Sequence, residues 1–409
     1  MLYVSFHFLS IRLYLYYTQQ TMTKLYIGIL TLSLFLTSCN KNKDLAQVLK
    51  TESGDHPYEV KFNKLSPKYK LEKKDKIDQF YNQKIKKGYW GGFLVAKNGE
   101  ILYEDYQGYA NYETKDPITD STPMHVASVG KVITAVGTLR LIDKKIINLD
   151  QKVSEILPGF PYETITVKML LNHRSGIPNY SNFTANKAIW DTKKTLTNDD
   201  VLNLLKTKDI KLDFKPDTRF TYCNTNYVLL AKIVETVTKK SFQEALKILI
   251  FEPLRMENTF VLEDLSIKDK VTQSYYATNR KMHWDYLDGT YGDKNIYTTP
   301  RDMLKLDLAL YSEQFLSKAI KDLMYKGYSY EKPGKNNYGL GIRMIEPTYA
   351  SDDLYTFHNG WWRGNKPSYV TLRKDTVTII CFDNHNTGLA YKTKYLAPEF
   401  GNFSSINVD

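Results

Sequence analysis

The sequence predicts an α+β fold: one antiparallel sheet completed by strands from both ends of the folded region, flanked by helices, with a mostly helical middle subdomain. Three observations predict it. Two β-rich runs meet at Asn98-Gly99 early in the chain, the strongest short signal for a hairpin. From about Ser128 to Leu323 the apolar residues recur at helical spacing. Strand-like runs then return between Tyr338 and Asn384. With 409 residues, 42% hydrophobic and 25% charged, the composition is that of a globular protein with a sizeable core.

Taken in order, residues 1–38 contain Arg12 and Lys24 and no acid, and carry the apolar run Leu25–Leu36. That run is short of the roughly 20 residues that span a bilayer and reads as a signal-peptide core, with Met22 as the natural start. Leu36-Thr37-Ser38-Cys39 resembles the lipobox of bacterial lipoproteins, which implies lipidation at Cys39, export, and a membrane-anchored body facing the periplasm of a Gram-negative cell. Residues 39–70 are polar and lysine-rich and suit a tether. The folded domain is expected over 71–397, with 398–409 as a tail. Removing residues 1–38 lowers the net charge from +11 by two. Such a balance favours anionic surfaces, lipid headgroups or cell-wall polymer such as peptidoglycan, and an exported lipoprotein has no occasion to bind nucleic acid. Cys223 and Cys381 are expected as free thiols, and the scattered histidines show no metal-ligand spacing.

Ile77, Phe80, Tyr81 and Ile85 mark a first helix ending at Gly88, followed by the Phe93–Tyr106 hairpin. Helices are expected at Val201–Lys208, Tyr227–Lys240, Ser241–Leu254 and Pro300–Ser312, the last with Thr299 as N-cap and Pro300 at its first position. Strands follow at Tyr338–Pro347, Leu354–Gly360, Ser368–Lys374 and Thr376–Asn384.

The helix beginning at Ser128 poses a local puzzle. Ser128 suits an N-cap, but the third residue on is Lys131 rather than Glu or Gln, at the positive end of the helix dipole, with Gly130 weakening the turn. Residues three apart share a helix face, so the amine can reach the serine oxygen and activate it as a nucleophile, while the Ser128 amide at the helix start can stabilise an oxyanion. Alone, Ser-x-x-Lys is a weak signal; Ser38-Cys39-Asn40-Lys41 matches it too.

Together with Ser128-x-x-Lys131, the segments Leu170–Tyr180, Phe220–Glu235, Asn295–Lys305 and Gly339–Met344 resemble the penicillin-recognising serine hydrolases, in particular their class C β-lactamase and D-alanyl-D-alanine carboxypeptidase/esterase branch, over about Leu71 to Ala397. The resemblance implies a β-lactamase/transpeptidase-like fold, an acyl-enzyme on Ser128, no cofactor, and a small peptide, ester or β-lactam as substrate. It also implies a Tyr-x-Asn element. Three occur: Tyr109-Ala110-Asn111, Tyr180-Ser181-Asn182 and Tyr222-Cys223-Asn224. The last stands directly before a strong helix, as the resemblance requires, giving Tyr222 as proton acceptor and Asn224 as substrate ligand. His358-Asn359-Gly360 stands where the family has Lys-Thr-Gly or His-x-Gly; His358, Asn359 and Gly360 would edge the site, and the Trp361 amide would complete the oxyanion hole. An Asn-Gly hairpin turn is the structural alternative there. Without a Lys-Thr pair the site lacks a fixed cation for a β-lactam carboxylate, so carboxypeptidase or esterase action is expected ahead of β-lactamase action, with a non-catalytic wall or β-lactam sensor as the rival from another class. Trp361, Trp362, Arg363 and Lys366 are expected to wall the cleft.

Overall fold

The structure, a computed structural model, describes Tyr58 and residues 60–348 and 353–403, all within one compact unit. The proposed signal segment and Cys39 lie outside the described residues. No helix among those described is long and apolar enough to cross a membrane.

Helix α1 spans Pro67–Lys84, four residues earlier than the expected start, because Ser66 caps it by accepting the Tyr69 amide and Pro67 pre-sets the first turn. Strands β1 (Gly91–Lys97) and β2 (Glu100–Gln107) form the expected hairpin, and Asn98 and Gly99 turn it with φ of 52° and 77°, the left-handed pair of a type I′ turn. At the other end of the chain lie β5 (Asn336–Tyr338), β6 (Arg343–Ile345), β7 (Tyr355–Asn359), β8 (Ser368–Leu372) and β9 (Val377–Asp383). They join the hairpin in one seven-stranded antiparallel sheet of order β2-β1-β9-β8-β7-β6-β5, closed by β1 on β9 with Gly91 opposite Asp383. The first and last parts of the fold therefore complete a single sheet, as the sequence predicts.

One face of that sheet packs on α1 and on a C-terminal 3-10 helix, Leu389–Glu399, through Ile77, Tyr81, Phe93, Val370, Ile379 and Leu396. Phe403 belongs to this core although the sequence assigned it to the tail. The opposite face meets helix α5 (Pro300–Ala309), whose buried Asp307 accepts the hydroxyls of Tyr369 and Thr378. Thr299 caps α5 and Pro300 opens it, as expected.

The middle supplies α2 (Gly130–Asp143), α3 (Asn198–Thr207) and α4 (Asn224–Thr238). Every residue of α2 from Gly130 to Ile142 is buried, so this helix is the hub of the helical region. The stretch expected as one helix over Ser241–Leu254 is a short helix, Phe242–Leu246, running into a π turn. The strand expected over Tyr338–Pro347 is broken between β5 and β6. Gly341 there has φ +90°, and a Cβ on it would come within 2.2 Å of Ala135 on α2. Only glycine lets the sheet edge approach the hub helix so closely.

Candidate active site

Ser128 sits on a 3-10 turn, Ala127–Val129, that feeds directly into α2, so it precedes the α-helix proper instead of capping it. Strand β3 (Met124–His125) leads into the turn and pairs with β4 (Ile296–Thr298). Ala127 adopts φ +43°, an uncommon conformation for a residue with a Cβ. It is held by His125, whose Nδ1 accepts the Ala127 amide at 3.1 Å and whose Nε2 lies 3.1 Å from Asn295 Oδ1. Burial, with Arg363 nearby, pushes the His125 pKa down to about 3, so the ring is neutral and can accept. The strained turn aims Ser128 into the cavity.

Lys131, fully buried, donates to Ser128 Oγ at 3.1 Å and to the main-chain carbonyl of Asp293 at 2.7 Å. Its hydrogen-bond partners are one hydroxyl and one carbonyl, neither of them a carboxylate. The amine also lies 5.1 Å from the centre of the Tyr222 ring and 5.6 Å from that of Tyr227. Tyr222 reaches this place because Thr221–Cys223 is an extended segment entering α4; its hydroxyl is buried and has no hydrogen-bond partner. Ser128, Lys131 and Tyr222, named from the sequence, are thus brought together.

A cavity of about 390 Å³ opens over them, within the size range of small-molecule sites. Ser128, Tyr222, Asn224, Asn359, Gly360 and Trp361 line it, joined by Arg343, Phe357 and Tyr391. The side-chain oxygens of Asn224 and Asn359 are buried without partners, as acceptors waiting for a ligand's N–H would be. Gly360 is required: a Cβ there would come within 2.9 Å of the Ser128 nitrogen and 2.7 Å of Pro367. Its absence lets the main chain entering Trp361 run beside the Ser128 amide, and Tyr391 donates its hydroxyl to the Gly360 carbonyl from the other side. Trp361 is 63% exposed and forms the rim.

His358 corrects the sequence reading. Successive strand residues face opposite sides, so Phe357 and Asn359 line the cavity while His358 does not, its ring lying behind the lining at 6.2 Å from that of Tyr222. It is fully buried; its Nδ1 donates to the Asn359 carbonyl at 2.9 Å, and its Nε2 accepts from Tyr338, 3.1 Å away. Burial, with Arg343 and Lys131 close by, holds its pKa well below 6.5, so it supplies no charge. The segment is β7, and the Asn-Gly turn is not formed. Trp362 and Arg363 also leave the rim: Trp362 donates to Asp288 at 2.6 Å, and Arg363 stacks 3.8 Å above Trp284. Cys223 points away, its Sγ 3.2 Å from the Ile177 carbonyl, with burial pushing the thiol up to about 11. Cys223 and Cys381 are free thiols.

The sequence reading missed Arg343, although it lies in the Gly339–Met344 segment that carried part of the resemblance. Paired opposite Phe357, it places its guanidinium 4.7 Å from the Tyr222 ring centre. The cavity therefore does contain a cation, contributed by β6 in place of the missing Lys-Thr lysine. Its lining includes no carboxylate. An arginine inside an apolar strand run was the available signal; the Asp293 carbonyl that anchors Lys131 left none. Among the described residues no group of histidines, cysteines and carboxylates is arranged to hold a metal ion.

Comparison with known proteins bears on the family and the fold. The sequence profile of the Beta-lactamase family matches residues 81–401. The chain is 30% identical over 322 residues to Penicillin-binding protein 4* of Bacillus subtilis, covering 75% of this chain and 70% of that one. It is 26% identical over 306 residues to the teichoic acid D-alanine hydrolase of Staphylococcus aureus, covering 74% and 70%. Among solved structures, a penicillin-binding protein from Bacillus halodurans superposes with a TM-score of 0.67 at 22% identity, over 80% of this chain and 99% of that one. The D-amino acid amidase of Ochrobactrum anthropi gives 0.62 at 23% identity, over 77% and 91%. These structural likenesses concern the β-lactamase/transpeptidase-like fold.

Proposed function

From the premise that the chain belongs to the β-lactamase family, we propose that it is a serine hydrolase that forms an acyl-enzyme on Ser128 with D-alanyl-type amides or small esters. The observation that carries the reading is the 3.1 Å contact from Lys131 to Ser128 Oγ, buried beneath a cavity with an unpartnered tyrosine hydroxyl. Ser128 Oγ attacks the substrate carbonyl carbon as its one proton passes to the Lys131 amine, and Tyr222 relays that proton towards the leaving group. The amides of Ser128 and Trp361 receive the oxyanion, the proton returns to the leaving group, and water then releases the acyl group.

Arg343 refines the substrate. A guanidinium in a lining without carboxylates favours a leaving group that ends in a carboxylate, as a peptide's terminal D-alanine does, over one that carries an ammonium. The same cation favours a second reading, β-lactam hydrolysis, because it removes the objection that no charge awaits the drug's carboxylate. Export and lipid anchoring through Cys39 complete the proposal; palmitate labelling that survives Cys39→Ala would refute the anchor.

The test uses purified protein with a D-alanyl-D-alanine peptide, a p-nitrophenyl ester and nitrocefin. Ser128→Ala should lower turnover by at least about 10³-fold. Equal turnover in wild type and Ser128→Ala overturns the reading, and fast nitrocefin hydrolysis with an untouched peptide would favour the β-lactamase reading.

A further inference from the structure

We propose that His173 is a positioning residue for Tyr222: it clamps the residues on either side of the tyrosine and fixes its ring, an inference that rests on the hydrolase reading above. Its carbonyl accepts the Thr221 amide at 3.0 Å, and its ring Nδ1 accepts the Cys223 amide at 3.2 Å. One residue therefore holds both neighbours of Tyr222, through main chain and side chain together. The His173 ring lies 4.4 Å from the Tyr222 ring and is also enclosed by Tyr227 and Tyr338, at 5.1 Å and 4.8 Å. Tyr222 is thus bracketed in sequence and packed against the same imidazole in space, the two rings tilted by 41°.

His173 can do this because its backbone is left-handed, with φ +58°. Asn226 adds a second donor to the same ring nitrogen, its Nδ2 3.4 Å away, while its Oδ1 is fixed by the Ser175 hydroxyl at 2.6 Å. With two donors converging on Nδ1, that nitrogen must carry the lone pair and Nε2 the proton. Nε2 has no hydrogen-bond partner, so no acceptor draws the ring away from the Cys223 amide. Full burial keeps the imidazole unprotonated, helped by the basic side chains of Lys131 and Arg343 that face it, with the neutral His358 beyond. Protonation at Nδ1 would cut the bond to Cys223.

Hydrolysis of the p-nitrophenyl ester is compared in wild type, Ser128→Ala, His173→Leu and His173→Asn, normalised to folded protein. Leucine removes the acceptor; asparagine keeps a carbonyl acceptor and tolerates φ > 0. In His173→Leu kcat should fall by about 100-fold with KM little changed, since misplacing a reacting group by about 1 Å costs that much, and His173→Asn should recover most of the rate. Unchanged kcat in His173→Leu, or an asparagine variant no better than leucine, overturns the role while Ser128→Ala still reports an active hydrolase. Equal activity in wild type and Ser128→Ala defeats the hydrolase reading, and this role with it. Should His173→Leu fail to fold, ¹⁵N-histidine NMR of the wild type decides. A neutral ring protonated on Nε2 through pH 5.5 supports the clamp, and an Nδ1–H ring or titration near 6.5 overturns it.

Discussion

The molecule contains two regions built from the same pair of groups, a tyrosine from a Tyr-x-Asn triplet and a buried lysine, and it treats them oppositely. Around Tyr180 the tyrosine hydroxyl and the lysine are both matched: the hydroxyl meets Asp293 at 2.7 Å and Thr290 at 2.9 Å, and Lys294 reaches that hydroxyl at 2.6 Å and pairs with Asp293 through Oδ2, although Asp293 Oδ1 has no hydrogen-bond partner. Around Tyr222 the hydroxyl is unmatched, and Lys131 has only Ser128 and a carbonyl. Asp293 stands between the regions, with its carboxylate serving the first and its carbonyl the second. A buried network that closes on itself holds structure, whereas one left open receives a substrate. Burial alone does not separate the two lysines; their partners do.

The largest test of this contrast exchanges each lysine for methionine. Lys131→Met should reduce turnover by about 10³-fold or more with little loss of stability, because no carboxylate is left unpaired. Lys294→Met should instead destabilise the fold by about 3 kcal/mol, measured by urea unfolding, since Asp293 loses its buried counter-charge. Similar behaviour of the two variants would erase the distinction.

The tyrosines should separate next. Tyr222→Phe is expected to lower kcat by about 10²–10⁴-fold. Tyr180→Phe should cost about 1–3 kcal/mol of stability by leaving polar partners unsatisfied, with a much smaller effect on kcat. A more modest effect is expected at the cavity wall. Arg343→Gln should raise KM for a carboxylate-terminated peptide by about 10–100-fold, from the loss of charged hydrogen bonds, and leave a neutral ester almost unaffected. Equal changes for both substrates would remove Arg343 from recognition of the leaving group.

Acid provides the gentlest probe. His173 and His358 beside Tyr222, and His125 beneath Ser128, all have folded pKa values below the ordinary 6.5. Each is neutral when folded and takes up a proton on unfolding below pH 6.5. Their contribution to stability is therefore complete above 6.5 and lost as pH falls from there towards the folded values, by about 1.4 kcal/mol per pH unit for each ring. Urea midpoints should drop between pH 7.5 and 5.5; a rise would show that the rings are charged in the native state.

Much of this was legible in the chain. The Asn98-Gly99 turn, the α5 cap at Thr299-Pro300 and the apolar α2 stripe are local signals, each written within one or two helical turns or a single hairpin. Ser128 and Lys131 are legible for the same reason, because a three-residue spacing fixes their proximity. The Ser66-Pro67 helix start was equally local and was overlooked. His358 was misplaced because strand alternation decides which side chains enter a cavity, and a motif does not state its register. Arg343 stayed hidden because nothing in Gly339–Met344 says that the strand breaks at Gly341 and turns its arginine over Tyr222.

The sequence by itself indicated the fold class and the proximity of Ser128 and Lys131, through hydrophobic period and three-residue spacing, while the choice of the tyrosine that precedes α4 came from the resemblance to the penicillin-recognising hydrolases. Only the tertiary structure decided which tyrosine hydroxyl stays unmatched, which lysine is neutralised, and which cation faces the substrate. The contacts of Tyr180 with Asp293 and of Arg343 with Tyr222 join residues more than a hundred positions apart and are set by packing, whereas Lys294 and Asp293 are neighbours in the chain and packing decides only what surrounds their pair.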